Sequence, residues 1–467
     1  MTSVRGRAVS RLAAAVLAPG LLAAGVLSGA GTAAADDAPS HPGGASAVLD
    51  GLDTYGNALL VEEDGEQRTV GAGLFRMTVE GGGTLKTYCI DIANPTVDSA
   101  GYKEVGWNQS SLDGNRDAGK ILWILQNSYP QVDVDALEAE LHTELTEATA
   151  AAGTQVAIWR FSDKADVTAA DPAAEKLADH LEAEARNVAE PRASLELGPA
   201  AVSGRAGERL GPVTVDTNAG TVAVGAPTGV TAGDVKVVDV DGKPLTTAAD
   251  GSELYFEVPD GAEPGEARVT VQASTNVPVG RAFVSDEVTS QTQILAGSSD
   301  STVTATATAH WAERGAVPAV TAEKNCTAGG VDVTVTNPGD EAFAFTLAGE
   351  EQEIAAGDTR TVTVPVEEDR TYEITVTGPG GFERTFSGVL DCRTATTAGD
   401  EGTTTQTGAV TPADQPASVA DGADLAETGS SSNTPLIVGV AVALVAAGAG
   451  AMLIVRRRGA TGSPDED

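Results

Sequence analysis

Thr87-Tyr88-Cys89-Ile90-Asp91 and, further along, Thr154-Gln155-Val156-Ala157-Ile158-Trp159 are the stretches whose reading decides how the first part of this chain folds. In the first, strand alternation puts Thr87, Cys89 and Asp91 on one face. In the second, Gln155, Ile158 and Trp159 stand at i, i+3 and i+4, so a helix carries them on one face. A carboxamide beside an indole and an isoleucine is expensive to bury unless something satisfies it. Working outward, the hydrophobic period changes between the two stretches. Leu74 to Val79 reads as a strand with Phe75, Met77 and Val79 on its apolar side, Gly81-Gly82-Gly83 as a turn, and Leu85 to Ile92 as a second strand. From Asp117 to Ser128, Ile121, Leu122 and Leu125 recur at helical spacing, and 134–162 hold two further helical stretches. Asp171-Pro172 supplies an N-cap and a proline at the first helical position of a last helix, with Leu177, Leu181 and Val188 on one face. Residues 46–190 are expected to form one α+β unit.

The two ends say where the chain goes. Arg5, Arg7 and Arg11 precede an apolar stretch from Leu12 to Val26, which closes on Ala33-Ala34-Ala35. A positive start, apolar middle and small-residue exit make residues 1–35 a secretory signal peptide cut after Ala35. Residues 36–45 form a short polar lead. At the other end, Leu425-Ala426-Glu427-Thr428-Gly429 comes first. An uninterrupted apolar run, 435–455, follows, and Arg456-Arg457-Arg458 opens a short tail, 456–467. As a helix, the run is about 31 Å long, one bilayer core, and the arginines hold its end on the cytoplasmic side. Motif, helix and basic stop in this order resemble the sorting signal of Gram-positive wall proteins. That resemblance implies cleavage of Thr428–Gly429 by a sortase and transfer of the Thr428 carbonyl to a peptidoglycan amine. Ala426, where the usual motif has proline, resembles the variant of high-GC actinobacteria and implies a class E-like sortase. The expected product is a secreted, wall-anchored protein, held in the membrane before sorting.

Between these ends the chain is β-rich. Residues 191–316 read as strand and turn, with Leu254 to Val258 and Arg268 to Val271 as typical runs. They either form a domain of their own or complete the preceding one. In 317–393 the alternation sharpens through Val331, Val333 and Val335, then Val362, Val364 and Val366, as in an immunoglobulin-like sandwich. Residues 394–424 hold almost no large apolar group and read as a wall-spanning linker. Export places the three cysteines in an oxidising compartment. Cys326 opens the third unit and Cys392 closes it, so they are read as a structural disulfide. Its 66-residue loop is worth roughly 4 kcal/mol in the chain-entropy model. Cys89 is left over: buried and inert, paired between chains, or reactive.

At Tyr88-Cys89-Ile90 and Thr154-Gln155-Val156-Ala157-Ile158-Trp159 the chain resembles the thioester domain of Gram-positive surface adhesins. Ile121 to Leu125 with Trp123, followed by Tyr129-Pro130, also looks like that family. The resemblance covers 46–190. It implies an intramolecular thioester between the Cys89 sulfur and the Gln155 side-chain carbonyl. Tyr88, Trp123 and Trp159 would shield it from water, and an amine-bearing surface ligand would take the acyl group as an amide at Gln155. Such a protein reacts once and is not a turnover catalyst.

Composition closes off other classes. The formal charge of −38 becomes −41 once the signal's three arginines are removed, which repels anionic polymers and argues against nucleic-acid binding. With three cysteines and four histidines, Cys/His metal spacing is absent, and neither a metal site nor a cofactor is expected. Two alternatives stand beside covalent capture. One is a cysteine-dependent wall hydrolase with Cys89 as nucleophile and His142 or His180 as base. The other is a stalk that binds without covalent chemistry.

Overall fold

The structure, a computed structural model, describes residues 43–62, 64–229 and 232–392. The signal segment, the 394–424 linker, Leu425–Gly429, the 435–455 run and the tail lie outside them. No described helix is long and apolar enough to cross a membrane.

In chain order, the first segment gives β1 (Ser46–Val61), β2 (Gln67–Val79), β3 (Thr84–Cys89), β4 (Gly101–Val105), α1 (Ala118–Gln126), α2 (Val134–Leu141), α3 (Glu147–Ser162), β5 (Val167–Ala169) and α4 (Pro172–Glu184). Helix α3 opens on a capping box, in which Thr146 and Thr149 exchange side-chain-to-backbone bonds. Helix α4 opens as its sequence announces: the Asp171 carboxylate accepts from the Ala173 and Ala174 amides, and Pro172 follows. It stops at Glu184, however, so Val188 is not on its face. The Val188 amide instead bonds the Gly119 carbonyl at 3.2 Å, tying the segment after α4 to α1.

Next come β6 (Leu195–Gly198), β7 (Ala201–Arg205), β8 (Arg209–Thr217), β9 (Val222–Val224), β10 (Lys236–Val238), β11 (Thr247–Ala248), β12 (Glu253–Glu257), β13 (Gly265–Asn276), β14 (Ala282–Ser285), β15 (Gln293–Ser298) and β16 (Asp300–Ala312). Most of them form two sheets, β10-β12-β8-β6 and β11-β9-β13-β16-β7. Strands β14 and β15 do not. They leave this region and join the first segment in the order β2-β3-β15-β14-β4-β1, and β1 also pairs β2, closing the ring. A boundary at residue 190 therefore cuts through one sheet. One continuous apolar core runs from Ala45 to Trp311.

Strand β1 is long enough to serve both neighbours because it bends at irregularities between Leu49 and Gly51 and between Leu52 and Thr54. Opposite the second, Gly73 has φ +158°, and a Cβ there would lie 2.3 Å from the Thr54 carbonyl oxygen, so only glycine fits. The ring is fastened at Glu104 on β4. Its carboxylate accepts from the Ala45 amide at 3.1 Å, the Ser194 amide at 2.9 Å and Arg281 Nε at 2.9 Å, and it also bonds the Ser194 hydroxyl. One buried anion thus joins the entry to β1, the start of the middle region and the residue before β14.

The last segment holds β17 (Ala319–Asn325), β18 (Gly330–Thr336), β19 (Phe343–Leu347), β20 (Glu350–Ile354), β21 (Thr359–Pro365), β22 (Arg370–Gly378) and β23 (Phe382–Leu390). Sheets β17-β18-β21 and β20-β19-β22-β23 form a sandwich around a separate core of Val331, Val333, Val335, Phe343, Phe345, Ile374 and Val376. The Cys326–Cys392 disulfide joins the ends of its first and last strands.

The Arg281–Glu104 pair is almost wholly buried, with 8% and 1% of the side chains exposed. Arg281→Met leaves the Glu104 charge buried without its cation, and the expected loss is about 3–5 kcal/mol of unfolding free energy. Urea denaturation of the two proteins measures it.

Candidate functional site

Strand β3 ends on Cys89 because the chain must turn there. Cys89 still pairs Gln293 of β15, and the next amide, Ile90, bonds the Thr292 carbonyl at 3.0 Å. Residues 87–91 are all buried, not alternately, and β3 packs against α3. Asp91 has left the strand, and its amide donates to Cys89 Sγ at 3.3 Å.

Helix α3 is likewise buried all round: residues 150–159 are buried without a gap. Single-face reading of Gln155 therefore understates its position, because a helix apolar on all sides sits inside a core. Two small residues permit this. Gly56 of β1 lies against Ala152, and a Cβ on Gly153 would come within 2.4 Å of the Ala174 carbonyl oxygen of α4.

Gln155 and Cys89 meet. The Cys89 amide donates to Gln155 Oε1 at 3.0 Å, and Gln155 Nε2 donates to the Cys89 carbonyl at 2.8 Å. Both residues are 0% exposed. The carboxamide is thus bonded at both ends to the backbone of the residue that bears the thiol, which meets the requirement for burying it. Chemically, the carbonyl oxygen already faces an N–H donor, and the amide nitrogen is held by the Cys89 carbonyl.

The thiol sits among acids. Burial pushes the Cys89 thiol well above its ordinary range, and Asp163 and Asp91 push it further. Opposing them are the Asp91 amide and the Trp159 indole. The Trp159 N–H has no hydrogen-bond partner among the described residues, and the indole lies close enough to the sulfur to favour its ionised form. Asp163, the C-cap of α3, accepts from the Ile92 amide at 2.8 Å and from Ser162 Oγ. Burial raises its carboxyl to about 6. Asp91 is raised by burial first and then by Asp391 and Asp163. Asp163 and Asp391 escaped sequence reading. An acid at a helix C-terminus is a weak signal of its own, and nothing local marks it as facing a thiol.

Of the proposed shields, Tyr88 and Trp159 are fully buried, and the Tyr88 hydroxyl donates to the Tyr129 carbonyl at 2.8 Å. Trp123 is only partly buried, at the edge of the core. The histidines weighed as bases are elsewhere. His142 is the left-handed C-cap of α2, and His180 on α4 bonds Glu140 at 3.1 Å. Of the described residues, none of the three histidines appears among the groups acting on Cys89.

Residues 86–187, which contain both Cys89 and Gln155, match the family model of the thioester domain. Residues 318–389 match that of the C-terminal domain of bacterial phospholipase C. No curated protein matches the chain. Among solved structures, the chain is similar to the Bacillus anthracis TIE protein at 15% identity, over 73% of this chain and 63% of that one, with a TM-score of 0.27. The aligned part is therefore less than two thirds of that protein. The chain is also similar to the thioester domain of the Enterococcus faecium TIE86 protein, at 17% identity over 58% and 97% of the two chains and a TM-score of 0.26. A third is the N-terminal thioester domain of a surface protein from Clostridium perfringens, at 20% identity over 33% and 89%, with a TM-score of 0.21.

Asp163 gives a pH test. In the folded chain its carboxyl holds a proton up to about pH 6, whereas unfolded it releases it near 3.8. Folding therefore takes up a proton in that window, and stability falls as pH rises through it. Asp163→Asn keeps an acceptor for Ile92 and removes the charge. It should match the parent below the window and exceed it by about 2–3 kcal/mol above, as read by urea denaturation across pH.

Proposed function

We propose that this chain is a wall-anchored surface adhesin that captures amines covalently through a Cys89–Gln155 thioester. The observation that carries the reading is the double hydrogen bond between the Gln155 carboxamide and the Cys89 backbone. In the forming step, Cys89 Sγ attacks the Gln155 side-chain carbon, the S–C bond forms, the C–N bond breaks and ammonia leaves. Negative charge develops on Gln155 Oε1, where the Cys89 N–H already donates. A preorganised donor at that position stabilises the tetrahedral intermediate. Because helix and strand are both locked, the pair is held for an intramolecular reaction with no orientational entropy left to lose.

The thiol must lose its proton in a site that disfavours thiolate. We assign that proton to Asp163, the leading charged group acting on the sulfur and one that ionises above about pH 6. The proton reaches the departing nitrogen as ammonia forms. In capture, an incoming amine attacks the thioester carbonyl, the S–C bond breaks, and the thiol is restored with an amide left at Gln155. Tyr88 and Trp159, both fully buried, keep water from the acyl group. The match of residues 86–187 to the thioester domain supports the same reading.

The outer ends complete the proposal. The signal peptide exports the chain, and a sortase joins Thr428 to peptidoglycan. Residues 317–393, which we take as an immunoglobulin-like module, and the 394–424 linker carry the reactive domain outward.

Two outcomes check this function. Incubation with methylamine, followed by peptide mapping, should place a methylamide on Gln155 and make Cys89 alkylatable. Cys89→Ala and Gln155→Ala should each abolish the adduct, and Asp163→Asn should slow thioester formation. A cysteine hydrolase would instead retain activity in Gln155→Ala. Separately, Thr428→Ala should shift the protein from the wall fraction to the membrane fraction of the producing cells.

A further inference from the structure

As a wall against water, Trp159 needs only its ring, yet the indole also carries an N–H, which ordinarily finds an acceptor when buried. Trp159 is 0% exposed, and its Nε1 has no hydrogen-bond partner among the described residues. Two other indoles are satisfied: Trp107 Nε1 donates to the Gly280 carbonyl at 2.8 Å, and Trp311 Nε1 to the Glu263 carbonyl at 2.9 Å. An orphaned buried donor is uncommon and calls for a reason.

Helix α3 fixes what Trp159 faces. Gln155, Trp159 and the C-cap Asp163 follow one another at steps of four residues along one face, each step advancing about 6 Å. Gln155 bonds the Cys89 backbone, and Asp163 accepts from the Ile92 amide at 2.8 Å. Trp159 stands between them, against the turn from Cys89 to Ile92. There the Asp91 amide already donates to Cys89 Sγ at 3.3 Å. The Asp91 amide and the indole both favour charge on that sulfur. The resting thiol makes no formed bond to the indole, but hydrogen bonds of a reactive site tighten as charge develops.

Charge develops on the sulfur when an amine is captured. The amine adds to the thioester carbonyl, and the tetrahedral intermediate either returns by losing the amine or goes forward by losing the thiolate. In the forward step the C–S bond breaks, its electron pair passes to Sγ, and the proton given up by the amine ends on the sulfur. Burial raises the Cys89 thiol well above its ordinary range, so the thiolate leaves with difficulty and the forward step is the slower one. Donors placed at the sulfur assist that departure, as the Cys89 N–H assists attack at Gln155 Oε1. We infer that the Trp159 N–H and the Asp91 amide form a two-donor pocket for the departing sulfur, so that Trp159 promotes amine capture as well as shielding it. The inference rests on the thioester reading above.

The test uses a chain of residues 36–424, which contains every described residue, beside its Trp159→Phe variant, which keeps an aromatic ring and removes the N–H. Methylamine capture, followed by intact mass, should slow about ten- to a hundredfold in the variant. Hydrolysis of the thioester should slow with it, because water and amine expel the same sulfur. Loss of a shield does the reverse and speeds hydrolysis. A second arm needs neither the thioester nor the folding of Trp159→Phe. In an isotope-labelled Gln155→Ala chain, where the thiol stays free, the Trp159 indole N–H signal in NMR should move when Cys89→Ala removes the sulfur. A Trp159→Phe chain that captures at the parent rate, or hydrolyses faster than the parent, would overturn the inference. So would an indole signal that does not respond to Cys89→Ala. A parent chain of full sequence mass would instead sink the thioester reading, and the role given to Trp159 with it.

Discussion

Two hydrogen bonds between one carboxamide and one backbone, Gln155 to Cys89 at 3.0 and 2.8 Å, are the contact on which the rest of this structure turns. A buried glutamine can be satisfied in many ways. Here it is satisfied by the amide and carbonyl of the residue that carries the only free thiol among the described residues. Every larger feature serves that meeting. Helix α3 has to run through the core so that its middle faces β3, which is why it is buried on all sides and why Gly56 and Gly153 clear its flanks. Strand β3 is held by β2 as far as Thr87 and by β15 up to Cys89.

The elements around the pair were legible because their signals are local. The change from alternating to helical spacing, the Asp171-Pro172 opening of α4 and the valine rows of the last sandwich are all short-range patterns, and each lies where its residues put it. So is the pairing of Cys326 with Cys392, whose positions frame one unit. What was not legible depends on distance. Nothing in 282–298 says that these strands leave their own region to close a ring with residues 46–105, because a buried strand carries no label for its partner. Val188 kept the helical spacing of Leu177 and Leu181, yet the helix had already ended, since a tertiary bond to Gly119 outweighed the local pattern. Trp123 looked like a shield from its company in sequence, but α1 turns it toward the edge of the core.

The same limit applies to charge. A strongly acidic chain suggests a solvated surface, and most of these acids are solvated. A few are buried, and Asp91, Asp163 and Asp391 lie around the end of β3. Asp163 and Asp91 raise the thiol, Asp391 raises Asp91, and Glu104 anchors the ring through Arg281. A fold selected only for stability would discard most of these buried charges. Three of them, Asp91, Asp163 and Asp391, act directly or through one another on the Cys89 thiol and hold it protonated.

The most direct measurement is the intact mass of the freshly purified chain with its one disulfide. A thioester predicts a mass lower than the sequence by one ammonia, with Cys89 closed to alkylation under denaturing conditions. Full sequence mass, with Cys89 free to alkylate, would contradict it.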